Sequence, residues 1–153
     1  MRADLHRYLE MHRDMYKGGP FGKFYDVLLK KGSWYETYGD WTGGFPQMKT
    51  KECFSNALNL ALKKDMLYCE GVALSSDLGI PMNHAWCVDA GSEVVDPTWR
   101  PRSSIFYGVG LVFDPKKAFP YFVEQGFYGF IPEMFIKNTG DRFEKFLEEE
   151  FGS

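Results

Sequence analysis

The chain has 153 residues, 44% hydrophobic and 25% charged, which suits one globular domain (1–153) with its own core and excludes a disordered chain. Eighteen Lys and Arg against 21 Asp and Glu leave a net charge of −3, which argues against a partner that tracks nucleic-acid phosphates. No apolar run is long enough to span a membrane, MRADLHRYLEMHRD does not read as a signal peptide, and three cysteines without C-x-x-C spacing suggest neither a disulfide framework nor a zinc knuckle, so a cytoplasmic protein is expected.

In chain order, Leu5, Tyr8, Leu9, His12, Met15 and Tyr16 recur at helical spacing and predict a helix over 2–16, stopped by Gly18-Gly19-Pro20. A second helix is expected over 23–31, with Phe24, Val27 and Leu28 inward and Gly32 at its end. The stretch 33–48, SWYETYGDWTGGFPQM, has no period and reads as a long loop. Thr50 then looks like an N-cap for a helix over 51–63, with Ala57, Leu58, Ala61 and Leu62 inward. Strands follow at 66–74, 84–88, 93–96 and 105–113, the last weakened by Gly108 and Gly110. Asp114-Pro115 signals a helix start, with Pro120 limiting the helix to a short or broken one. Residues 141–151 read as a polar helix with Phe143, Phe146 and Leu147 on one side. Helices, then mostly antiparallel strands, then helices make an α+β domain.

Three residues on these elements suit nucleophilic chemistry. With Thr50 as N-cap, Cys53 falls in the first turn, where unpaired N–H groups and the helix dipole favour a thiolate. His84 lies on a strand, and a nearby imidazole would complete an ion pair with the thiolate. Asp96 would then orient that imidazole. Asp89-Ala90-Gly91 resembles a three-residue hairpin loop with Gly91 left-handed, which would set Val88 opposite Ser92 and His84 directly opposite Asp96. A two-residue turn at Ala90-Gly91 would instead place the pair on opposite faces.

Cys53 at a helix start, His84 in NHAW and Asp96 in VVDPTW resemble the Cys-His-Asp core of the transglutaminase-like branch of the papain-like superfamily. Tyr68-Cys69-Glu70-Gly71 is similar to the Y-x-E-G segment of its small bacterial and phage members. The resemblance covers 47–99, and the neighbours of Cys53, Glu52 and Phe54, depart from the Gly and Trp common there. It implies a nucleophile helix packed on a small antiparallel sheet that carries the histidine and aspartate, with added N- and C-terminal helices. It also implies that Gln47, six residues before Cys53, helps to hold an oxyanion.

The activity implied is a thiol-dependent hydrolase (peptidase, amidase or deamidase) that cleaves a peptide or protein amide through a covalent thioester, with no cofactor. An amine as acceptor would make it a transglutaminase or acyltransferase. A catalytically silent binding module using the aromatic loop 34–45 is the alternative of another class. Trp34, Tyr35, Tyr38 and Trp41 lead into Gln47 and are expected to include at least one wall of the substrate cleft, or else to cover the sheet's edge or the N-terminal helices. Cys69 and Cys87 read as packed thiols, His6 and His12 as chemically idle, and Glu70 as an acceptor for a loop N–H or a solvated strand residue. No metal-binding pair such as H-E-x-x-H is present. The oligomeric state is left open.

Overall fold

A computed structural model describes residues 2–37, 52–74, 79–99, 105–137 and 141–152. The elements are α1 (Arg2–Met15), α2 (Pro20–Lys31), β1 (Ser33–Thr37), α3 (Cys53–Lys64), β2 (Leu67–Leu74), β3 (Pro81–Val88), β4 (Val94–Val95), β5 (Ile105–Phe113), α4 (Pro115–Gln125), α5 (Phe130–Lys137) and α6 (Asp141–Phe151). The strands form one curled antiparallel sheet in the order β1-β5-β2-β3-β4. The fold is α+β.

Strand alternation divides the sheet into two faces. Tyr68, Val72, Ala85, Cys87, Val95, Val109, Leu111 and Phe113 join the large core shared with the helices. Cys69, Ala73, Trp86, Val88, Val94 and Phe106 form a second cluster on the opposite face, with Tyr35 and Trp99 against it. α3 lies on the first face through Ala57 and Ala61, and the Cys87 thiol donates a hydrogen bond to the Ala57 carbonyl at 3.0 Å. Gly110 lets Trp86 lie flat on the second face: a Cβ there would sit 2.4 Å from Cys69 Sγ and 2.9 Å from the indole. The glycines expected to weaken β5 therefore make room for its neighbours.

Several sequence expectations need correction. The segment read as a loop from residue 33 begins with a strand. Trp34 pairs with Val109 and Tyr35 with Gly108, so β5 supplies the partner that local period could not reveal. Pro20 does not merely end the first helix but opens α2, where its missing N–H costs nothing. Leu5 and Leu9 carry the buried stripe of α1, while Met15, Tyr16 and, on α3, Leu62 are exposed. Pro120 does not break α4, which runs eleven residues because Lys116, whose carbonyl loses its donor, is exposed.

No helix was anticipated at α5. Its first N–H groups are capped from far away: the Glu70 carboxylate accepts from Phe130 N at 2.8 and 3.0 Å and from Ile131 N at 3.0 Å. Tyr68 Oη also donates to it, at 2.8 Å. Glu70 is fully buried, so the solvated reading fails and the acceptor reading stands. Burial pushes its carboxyl up to about 7, against these donors, which favour the charged form.

Candidate active site

Cys53 is the first residue of α3, not the third as an N-cap at Thr50 would require; Glu52 is the cap and makes no side-chain cap bond. Thr50 and Lys51 lie outside the described residues. The later start still leaves Cys53 among the N–H groups that have no intrahelical acceptor, at the positive end of the helix dipole. Cys53 is half-buried, whereas Cys69 and Cys87 are buried and packed. Burial raises the pKa of both packed thiols, so neither is available as a thiolate.

The hairpin that places His84 differs from the expected one. Cys87 pairs with Val95 and Val88 with Val94, and Asp89 N donates to the Glu93 carbonyl at 3.0 Å, so the loop is still three residues but runs from Ala90 to Ser92, one position later than expected. Asp89 Oδ1 accepts from Gly91 N and Glu93 N at 2.9 Å each, and Ser92 rather than Gly91 takes the left-handed conformation, at φ 61°. The loop keeps its odd length, so His84 and Asp96 keep a common face. They are offset by two positions rather than directly opposite. Asp96 spans the diagonal, and the imidazole Nε2–H donates to its Oδ2 at 2.7 Å. The other carboxylate oxygen accepts from Thr98 N at 2.8 Å and Trp99 N at 3.0 Å, which closes a tight turn beyond β4.

Both members of this pair are buried, at 1% and 0% exposure. The Trp99 ring stacks on the imidazole with centroids 3.6 Å apart and planes 11° from parallel. Burial alone would lower the imidazole pKa. The charge and hydrogen bond of Asp96, with a hydrogen-bonding interaction from the Cys53 side chain, outweigh it and raise the pKa to about 9. With Nε2 on Asp96, Nδ1 is the ring nitrogen left for the thiol. The imidazole is thus held charged at neutral pH between a fixed carboxylate and a thiol at a helix start. That arrangement can supply a thiolate and return a proton.

Of the remaining expected site residues, Tyr35 lies one ring away from His84. It meets Trp86 edge-on at 6.1 Å, and Trp86 is 6.0 Å from the imidazole. Trp34 faces α1, stacking on His6 at 6.3 Å under the Arg2 guanidinium at 4.6 Å. Its described contacts thus cover the N-terminal helix. Tyr38, Trp41 and Gln47 lie outside the described residues. Sequence reasoning missed the roles of Trp99 and of Asn56, whose side-chain amide reaches Thr98 Oγ1 at 3.0 Å. An aromatic three residues after the aspartate, and a polar residue one turn after the cysteine on an apolar stripe, were the available signals.

Among the described residues, no group of three or more His, Cys, Asp or Glu side chains could hold a metal ion, and no helix is long and apolar enough to cross a membrane. No known family model, curated protein or solved structure matches this chain.

Proposed function

We propose that the protein is a thiol-dependent hydrolase of amide bonds, built on a transglutaminase-like variant of the papain-like core. The observation that carries the reading is the 2.7 Å bond between His84 and Asp96, with the Cys53 side chain among the groups that raise the imidazole pKa to about 9. The Cys53 thiolate adds to the substrate carbonyl, and the oxyanion is held by the Cys53 N–H and, on this reading, by Gln47. His84 gives its proton to the departing amine, the C–N bond breaks and a thioester remains. The neutral imidazole then takes a proton from water, whose hydroxide adds to the thioester. Collapse releases the acid and returns the thiolate beside a protonated His84. Asp96 holds the ring by Nε2 throughout.

Trp99 supports this assignment by covering one face of the ring, which keeps the charged pair away from bulk water. Water is the acceptor proposed here; an amine in its place would transfer the acyl group by the same steps. The test is a panel of peptide, isopeptide and glutamine-amide substrates incubated with the wild type and with Cys53→Ala. Release of amine or ammonia by the wild type alone is the expected result. Cleavage that persists in Cys53→Ala refutes the assignment.

A further inference from the structure

The turn from Asp96 to Trp99 touches both halves of the site. On one side Asp96 Oδ2 holds His84 Nε2 at 2.7 Å and the Trp99 ring covers the imidazole at 3.6 Å. On the other side Thr98 Oγ1 accepts a 3.0 Å hydrogen bond from Asn56 Nδ2. Asn56 lies one turn along α3 from Cys53, and its own N–H makes the first helical bond, to the Glu52 carbonyl at 2.9 Å. Thr98 is tied in turn to the acid, its N–H bonding Asp96 Oδ1 at 2.8 Å. A continuous line of bonds therefore runs from the base, through Asp96 and Thr98, to the helix that carries the nucleophile.

Asn56 and Thr98 are both buried, at 7% and 3% exposure. Apolar residues of the same shape would fill this space without the cost of desolvating an amide and a hydroxyl. What the polar pair adds is direction. Dispersion contacts let a helix slide by fractions of an ångström along a sheet, whereas a buried hydrogen bond fixes donor and acceptor in distance and angle. A shift of α3 against the Asp96 turn would change how the Cys53 sulfur meets the imidazole.

We propose that Asn56 and Thr98 are a positioning pair that sets the Cys53–His84 approach by locking the start of α3 to the Asp96 turn. The proposal rests on the thiol-hydrolase reading. Neither residue touches the reacting atoms.

The test uses iodoacetamide as the probe on the folded full chain, with the rate of Cys53 alkylation followed from about pH 5 to 10, either side of an ordinary thiol pKa of about 8.5. Thr98→Val should slow alkylation near neutral pH about tenfold and change its pH profile, because a misplacement of about 1 Å can cost up to about 100-fold. Thr98→Ser keeps the hydroxyl and should restore the wild-type profile. If Thr98→Val fails to fold, the double variant Asn56→Leu/Thr98→Val, which replaces both groups of the bond by apolar ones, carries the same expectation. Alkylation of the folded valine variant, single or double, at the wild-type rate and pH profile overturns the proposal and leaves the triad standing. A wild-type Cys53 that reacts near neutral pH no faster than a free thiol overturns the triad reading, and the positioning role with it.

Discussion

Replacing Asp96 with Asn keeps the shape of the turn but removes the charge that holds His84 protonated. The amide oxygen can still accept from Thr98 N and Trp99 N, as Oδ1 does now at 2.8 and 3.0 Å. The amide nitrogen would then face His84 Nε2 as a donor, which forces the ring to place its proton on Nδ1, toward the thiol. The imidazole stays buried and loses its counter-charge, so its pKa should fall from about 9 to below the ordinary 6.5. The rise from 6.5 to about 9 corresponds to about 3 kcal/mol of preference for the charged ring in the folded state. Because the folded pKa is the higher one, that stabilisation is fully present below pH 6.5 and is lost as pH climbs through about 9. Urea unfolding of the wild type at several pH values should show this decline, and Asp96→Asn should lack most of it. Heteronuclear NMR of the His84 ring reads the titration directly, and iodoacetamide reports the thiol. An imidazole that still titrates near 9 in Asp96→Asn, or an unchanged alkylation profile, would refute the electrostatic account.

Cys53→Ala should abolish turnover with stability nearly unchanged, since the side chain is half-buried at a helix start; Cys69→Ala should retain turnover, and an activity assay on both folded variants checks the assignment. His84→Ala should be as severe as Cys53→Ala, because the two act as a unit, and the double variant should be no worse than either alone. Glu70→Gln turns one acceptor into a donor facing the Phe130 N–H or the Tyr68 hydroxyl. It should cost about 1–3 kcal/mol in urea unfolding, with faster amide exchange at Phe130 and Ile131. Gly110→Ala forces a methyl to 2.4 Å from Cys69 Sγ and 2.9 Å from the Trp86 ring, and should cost about 1–3 kcal/mol by the same measurement.

The parts of the fold visible in the sequence were those whose signal is local. The extended segments 66–74 and 105–113, and the apolar side of 141–151, needed no knowledge of partners. That His84 and Asp96 share a face was legible from the odd length of the hairpin loop, while Cys53 joined them through residue type and the family resemblance. The true register was not legible, because Asp89 bonds Gly91 N and Glu93 N and the turn is centred one residue later, on Gly91. β1 escaped notice because its period is supplied by β5. α5 escaped because its cap stands on another strand. The stack of Trp99 on His84 arises from the Asp96 turn folding back, which no spacing along the chain records.

The Glu70 cap also constrains how the chain can be made. Its acceptors serve N–H groups 60 and 61 residues further on. At ribosomal rates of about 5–20 residues per second, roughly 3–12 s separate the synthesis of the carboxylate from that of its donors. During that interval a closed sheet would bury a carboxylate with only Tyr68 to answer it. The central strands should therefore stay open to water until Phe130 and Ile131 emerge, and a nascent chain released short of them should remain protease-sensitive at β2.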